Sequence, residues 1–190
     1  MKPPERKPAR GEVAVPAEIG RQSNPLDYIA EEHLRQREIC AALDRLAVLD
    51  PPDVDLAIEV LVHLNTWLPP HIRDEEEDLF PLLRRRAPPG DDINETLNRL
   101  GREHVSTTGK MQKLRAILQR MITSNTAPKP RDATILSEFA AHERRHLIVE
   151  NAIVLPMARA CLTRDDLASL RLRMVQRRSD PGTNGQEGNS

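Results

Sequence analysis

One pattern occurs twice in this chain and constrains its fold more than any other feature: histidine, three residues, glutamate, five residues and proline. The two copies are HIRDEEEDLFP at 71–81 and HLIVENAIVLP at 146–156. Residues four apart lie on one face of an α-helix, so the histidine and the glutamate of each copy point in the same direction. Apolar residues share that face, and the pattern therefore predicts two helices that carry His and Glu toward a common core.

Two further segments repeat each other around a histidine. Glu32-His33 and Glu103-His104 both place the histidine in the middle of an apolar seam with helical spacing. These segments match at a shift of 71 residues, whereas the two copies of the His-Glu-Pro pattern match at a shift of 75. The chain is thus predicted to consist of two copies of a helix pair.

The boundaries between helices are marked by stretches rich in proline, glycine and polar residues, at 51–52, 87–92 and 124–132. They separate four long segments with helical spacing. Four helices joined by three short connections predict an all-α fold, an antiparallel up-down four-helix bundle. Thr163 and Asp166 resemble a capping box, which predicts a short additional C-terminal helix.

The second helical segment contains a proline pair, Pro69-Pro70. Proline has no backbone N–H, and its ring clashes with the carbonyl group four residues earlier in a helix. The helix therefore either kinks at this pair or restarts with proline in its first turn, and the sequence leaves both possibilities open.

The composition limits the domain organisation and the classes of function. Residues 1–23 are rich in proline and charge and 178–190 are polar and glycine-rich, so both are predicted to be disordered tails around a bundle at 24–177. A formal net charge of −1 gives no reason to expect nucleic-acid or membrane binding. With no signal peptide or membrane span and only two cysteines, we expect a cytoplasmic protein without a disulfide framework.

The two repeats bring six ionisable side chains to matching levels in the middle of the predicted bundle. Burying carboxylates and imidazoles costs on the order of several kcal/mol each unless they are paired or bind a metal. Nitrogen and oxygen ligands without a thiolate suit iron, manganese or zinc, and two carboxylates on separate helices favour a dinuclear site. The predicted ligands are His33, His71, Glu75, His104, His146 and Glu150.

Other residues are expected around this site. Glu76 is a candidate hydrogen-bond partner of a ligand, whereas His63 has no counterpart in the repeat and is predicted at the surface or a helix edge. The seam above the ligand level is more polar than the aliphatic seam below it, so we expect small ligands to enter from above. His142, one turn before His146, is either a fifth ligand or a pocket residue. The pocket candidates are Cys40, Trp67, Met111 and His142.

Taken together, these motifs resemble the hemerythrin-like HHE cation-binding domain over about residues 24–162. The resemblance rests on the EEH of the first helix, the REH of the third helix and both His-Glu-Pro patterns. It implies a non-haem di-iron centre with an oxo or hydroxo bridge, in which the four predicted histidines are terminal ligands and the two glutamates bridge the irons. Thr108 stands where oxygen-carrying hemerythrins have a further histidine, so the chain is more similar to the bacterial four-His, two-Glu branch.

This resemblance implies a protein that binds or reacts with O2, NO or peroxide in sensing, stress response or iron handling. Enzymatic activity is left open, because no general base beyond the ligands and no pocket for a larger substrate can be recognised. Two alternatives remain. One is a non-enzymatic interaction module whose bundle is stabilised by metal, and the other is a zinc or manganese site without a redox role.

Overall fold

Five helices make up the part of the chain that is described by a computed structural model, residues 24–179. This part contains no strand, and the predicted all-α fold is confirmed. The first four helices form the predicted antiparallel bundle, and the fifth packs against the first and the second. The helices are α1 (Pro25–Val48), α2 (54–86), α3 (Ile93–Ser124), α4 (130–161) and α5 (Arg164–Ser179).

The limits of the predicted bundle fall partly within the described residues. The predicted N-terminal tail, 1–23, and residues 180–190 lie outside them. At the other limit, α5 runs to Ser179, so Arg178 and Ser179, which the sequence analysis places in the C-terminal tail, are helical. None of the helices described here is both long and apolar enough to cross a membrane.

Side chains at the helix ends explain where several helices begin. Asn24 caps α1, because its side-chain oxygen accepts a hydrogen bond of 3.0 Å from the backbone N–H of Leu26. Thr163 and Asp166 form the predicted capping box at the start of α5. The Asp166 carboxylate accepts the backbone N–H of Thr163 at 3.0 Å, and Thr163 Oγ1 accepts the backbone N–H of Asp166 at 3.2 Å.

Both helices that carry the His-Glu-Pro pattern contain wide turns, in which a backbone N–H bonds the carbonyl five residues earlier instead of four. A proline follows two residues after each wide turn ends. Widening the turn moves the carbonyl that the proline ring would otherwise strike. Helix α2 therefore neither breaks nor restarts at its proline pair but continues through a wide turn. The turns are His63–Trp67 before Pro69, Asp74–Leu79 before Pro81, and Glu150–Val154 before Pro156.

Two apolar clusters fill the bundle, one on either side of a polar layer at its middle. The upper cluster, on the side of Cys40, includes Leu43 and Leu114, and the lower cluster includes Ile29 and Leu79. Burying each of these side chains contributes about 1.5–3 kcal/mol to folding. The clusters therefore hold the four helices together above and below the layer, which consists of histidines and carboxylates.

Candidate metal centre

Six buried side chains from the four bundle helices converge in the polar layer, and they are the six residues predicted as ligands. Their ligand atoms form two overlapping groups, within each of which the atoms lie within 4.8 Å of one another. The two glutamates belong to both groups. The first group is His33, His71, Glu75 and Glu150, and the second is Glu75, His104, His146 and Glu150.

Each glutamate lies between the histidine pairs His33/His71 and His104/His146. Glu75 Oε1 is 3.4 Å from His33 Nε2, and its Oε2 is 3.4 Å from His104 Nε2. Glu150 Oε2 is 3.5 Å from His33 Nε2, and its Oε1 is 2.8 Å from His146 Nε2. Both carboxylates thus face at least one histidine of each pair, which is the placement that a carboxylate shared by two cations requires.

Buried acceptors without a hydrogen bond mark this layer as a site for positive charge. Glu75 and Glu150 are 0% exposed, and none of their four carboxylate oxygens has a hydrogen-bond partner among the described residues. His104 Nε2 and His146 Nε2 face each other at 2.9 Å. A buried carboxylate costs on the order of several kcal/mol unless a positive partner compensates it, and protonated histidines or a bound cation can do so. The donor set therefore fits a metal cation.

In three of the four histidines, Nδ1 forms a hydrogen bond with a carboxylate. When Nδ1–H donates to a carboxylate, Nε2 becomes the nitrogen that can bind a metal, and its orientation is fixed. In all three cases Nε2 points into the polar layer. The pairs are Glu32 with His71 (3.1 Å), Glu76 with His104 (2.7 Å) and Glu103 with His146 (2.7 Å).

Only one of these supporting carboxylates is predicted from the sequence. Glu76 is a predicted partner, whereas Glu32 and Glu103 are not, although a glutamate precedes the histidine in both repeats. The symmetry of the repeats is also incomplete. Asn151 occupies the position equivalent to Glu76, and its amide donates to the Leu147 carbonyl oxygen at 2.6 Å.

The carboxylates determine the charge of the histidines. Burial lowers the pKa of His71, but Glu75 and Glu32 outweigh burial and raise the pKa to about 9. The pKa of His104 rises to about 10 and that of His146 to about 9, again because nearby carboxylates outweigh burial. Burial favours the neutral form of Glu75, yet His71, His104 and His33 hold its pKa well below the usual range. A cation that binds at Nε2 must therefore displace protons.

A second group of polar side chains lies above the six. Thr107 Oγ1 donates to Glu143 Oε1 at 2.6 Å, and both residues are buried. Gln36, one turn above His33, is also buried, and its Nε2 has no hydrogen-bond partner in the described part of the chain. Cys40 and Met111 belong to the upper apolar cluster. Glu143 is not among the residues predicted from the sequence.

Three other residues, Trp67, His142 and His63, were predicted around the site, and the structure places them as follows. Trp67 and His142, expected to face the pocket, are half-buried, and neither belongs to the two groups of converging ligand atoms. The prediction that His63 lies at the surface or a helix edge is wrong: this residue is 5% exposed. Burial lowers the pKa of His63 to about 4, with a further decrease from the charge of His71. His63 is therefore a neutral buried histidine near the centre.

Comparisons with known proteins agree with this geometry. Residues 24–158 match the hemerythrin HHE cation-binding domain. An uncharacterized protein of Haemophilus influenzae is 24% identical over an alignment of 178 positions, which covers 88% of this chain and 97% of that protein. The family match includes all six converging side chains and most of the four bundle helices. This chain therefore belongs to the hemerythrin HHE cation-binding domain family.

Proposed function

We propose that the centre holds two non-haem iron ions and that the protein binds or reacts with O2, NO or peroxide. The observation that carries this proposal is the position of Glu75 and Glu150 between two histidine pairs. Both glutamates are fully buried and have no hydrogen-bond partner within the described residues. In this proposal the first histidine pair holds one ion, the second pair holds the other, and the two glutamates are shared.

The chemistry of the donors supports iron. Imidazole nitrogens and carboxylate oxygens favour iron, manganese or zinc over copper(I) or an iron–sulfur cluster. Cys40 does not change this choice, because burial raises the pKa of its thiol to about 12 and keeps the sulfur protonated. Among the three metals, similarity to the four-His, two-Glu hemerythrin-like proteins favours iron.

In the proposal, bound iron, the supporting carboxylates and the apolar clusters each have a separate role. Bound iron would supply the electrons and the open coordination positions for a small ligand. Glu32, Glu76 and Glu103 fix the orientation of the histidine rings through Nδ1. The apolar clusters exclude water from both sides of the layer.

The upper side offers polar groups for a small ligand. Gln36 has a buried amide nitrogen that lacks a partner among residues 24–179, and Thr107 with Glu143 forms a buried hydrogen bond at the same level. Buried polar groups of this kind can orient a ligand by hydrogen bonding. Below the layer the cluster of buried side chains is apolar, and it includes the Phe80 ring that stacks on His104. We therefore propose that diatomic ligands or peroxide bind on the upper side.

Metal analysis of chain purified under anaerobic conditions tests the proposal. We expect two iron ions per wild-type chain and loss of iron in His71→Ala and Glu150→Ala, with helical circular dichroism retained. Glu38→Ala, which removes an exposed glutamate of α1, is the matched control and should retain both ions. The reduced wild-type chain should then change its iron absorption on exposure to O2 or NO. Bound zinc, or iron that does not respond to either gas, would favour a structural metal site instead.

A further inference from the structure

Helix α5 lies beyond the residues that match the family, yet its last turn reaches the support of the metal centre. The family match ends at 158, whereas α5 spans Arg164–Ser179. Arg178, in the last turn, contacts Glu32, the carboxylate that holds the His71 ring. The centre of this chain is therefore supported by an element that is not part of the matched domain.

Arg178 connects two carboxylates near His71, those of Glu32 and Asp74. Its Nη2 lies 3.2 and 3.4 Å from the two oxygens of Glu32 and 2.6 Å from Asp74 Oδ2. Glu32 Oε2 lies 3.1 Å from His71 Nδ1, and Asp74 directly precedes Glu75 in α2. Glu32 and Asp74 are 4% and 0% exposed. Without the guanidinium, these two buried carboxylates would repel each other beside the centre.

The neighbouring arginines anchor the same end of α5 to the acidic run of α2. Arg177 contacts Asp74 and lies 2.9 Å from both Glu77 Oε2 and Asp78 Oδ2. Arg173 also contacts Asp78. These contacts dock the last turn of α5 on the helix face next to Glu75. They do not include Glu32, so Arg178 is the arginine of this group that touches a carboxylate hydrogen-bonded to one of the four histidines.

We propose that Arg178 is a positioning residue of the metal centre and that it acts on His71 through Glu32. As a result, docking of α5 and binding of the cation nearest His71 strengthen each other. The inference rests on the proposed function, because it requires cations at the centre. By aligning Glu32, Arg178 favours the His71 orientation that exposes Nε2 to the cation. Linkage is reciprocal, so a cation that orders His71 and Glu32 must also favour the docked position of α5.

The chain offers a matched control at the opposite end of α5. Arg86 of α2 forms a bidentate ion pair with Asp166 of α5, with distances of 2.8 and 3.1 Å. This pair also docks α5 on the bundle, but neither partner contacts a histidine of the centre in the described structure. Arg86→Gln therefore removes a contact that docks α5 but leaves the contacts of Glu32 unchanged. Arg178→Gln removes a docking contact and also the contact with Glu32.

Two measurements on the full chain test the proposal. Anaerobic Fe(II) titration should give two bound ions in the wild type and in Arg86→Gln, with unchanged affinities. In Arg178→Gln, one of the two ions should bind about 10–100-fold more weakly, the effect typical of losing an outer hydrogen-bond partner. Hydrogen exchange in 164–179 should slow on Fe(II) binding in the wild type and in Arg86→Gln, and this slowing should disappear in Arg178→Gln.

Further variants separate positioning from general destabilisation. Glu32→Gln should weaken the same single ion, and the double variant Arg178→Gln/Glu32→Gln should lose no more affinity than Glu32→Gln alone. Arg178→Lys, which keeps the charge, should recover part of the affinity and provides the comparison if Arg178→Gln does not fold.

The outcomes distinguish failure of the role of Arg178 from failure of the proposed function. Equal affinities in wild type and Arg178→Gln, equal losses at both ions, or iron-independent exchange of α5 would overturn the role of Arg178 and leave the proposed function intact. A wild-type chain that binds no Fe(II) would overturn the proposed function, and this inference with it.

Discussion

Loading the centre with two cations at pH 7 should release about two protons per chain. The pKa values of His71, His104 and His146 are raised to about 9, 10 and 9, which favours the protonated imidazole at pH 7. His104 Nε2 and His146 Nε2 lie 2.9 Å apart, so one of these two nitrogens must accept the hydrogen bond and only the other can carry a proton. The three rings therefore hold about two protons on Nε2, and both must leave before these nitrogens can bind a metal. Glu75 adds no proton to this number, because its pKa is held well below the usual range.

The direction of the pH effect follows from this count. Since the deprotonated imidazole binds the cation, affinity should increase with pH. Release of about two protons predicts an overall binding constant that rises about 100-fold per pH unit between pH 7 and about 8.5. The increase should become shallower as the pH passes the histidine pKa values of about 9 and 10.

Calorimetric titration with Fe(II) under anaerobic conditions measures the proton number directly, when it is repeated at pH 7 in buffers of different ionisation enthalpy. Glu76→Gln provides an internal comparison, because Glu76 helps to raise the pKa of His104 and its loss should reduce the number of released protons. Release of less than one proton in the wild type, or affinity that does not change between pH 7 and 8.5, would refute the reasoning.

Three further predictions follow from the same contacts. The free energy of unfolding of the metal-free chain, measured in denaturant titrations, should decrease between pH 7 and 9.5. Histidines whose folded pKa exceeds the unfolded value of about 6.5 favour folding only while they are protonated. A free energy of unfolding that rises over this range would contradict the prediction. Glu103→Gln should lower iron affinity about 10–100-fold in equilibrium dialysis, because His146 loses its carboxylate partner; unchanged affinity would exclude that role. His63→Leu should retain two iron ions and lose no stability, because it replaces a buried imidazole whose Nδ1 lacks a partner in the described residues; loss of iron would show that His63 is needed by the centre.

The level and direction of the six converging side chains could be predicted because a helix has a fixed repeat. A helix advances about 1.5 Å and turns about 100° per residue, so matched spacings in antiparallel helices bring matched residues to one depth. The His-Glu-Pro pattern carried additional information that was not used. The proline of each copy indicates the wide turn that contains the glutamate, Asp74–Leu79 for Glu75 and Glu150–Val154 for Glu150.

The burial of His63 shows that a wide turn changes the direction of a side chain, so that a prediction based on regular helical spacing is wrong. In a regular helix, eight residues turn about 800°, which places His63 about 80° away from the face of His71. The extra residue in the wide turn at His63–Trp67 removes about 100° of rotation, and His63 comes to within about 20° of that face. Sequence spacing alone does not include this correction.

The supporting contacts were harder to predict because they join distant parts of the chain. Glu32 and Arg178 are 146 positions apart, and Arg177 and Asp74 are 103 positions apart. Which carboxylate an arginine reaches depends on how α5 packs across the bundle, and periodicity within one helix does not determine that packing. The last turn of α5 also lacks apolar residues. Its stability comes from ion pairs with α1 and α2, so composition alone assigned Arg178 to a disordered tail.

The proposed sharing of Glu75 and Glu150 by two ions is tested most directly by a crystal structure of anaerobically purified protein, with anomalous data collected on both sides of the iron absorption edge. We predict two iron peaks about 3–4 Å apart, each within bonding distance of one histidine pair and of both glutamates. A single iron peak, or peaks that contact only one of the two glutamates, would contradict the account.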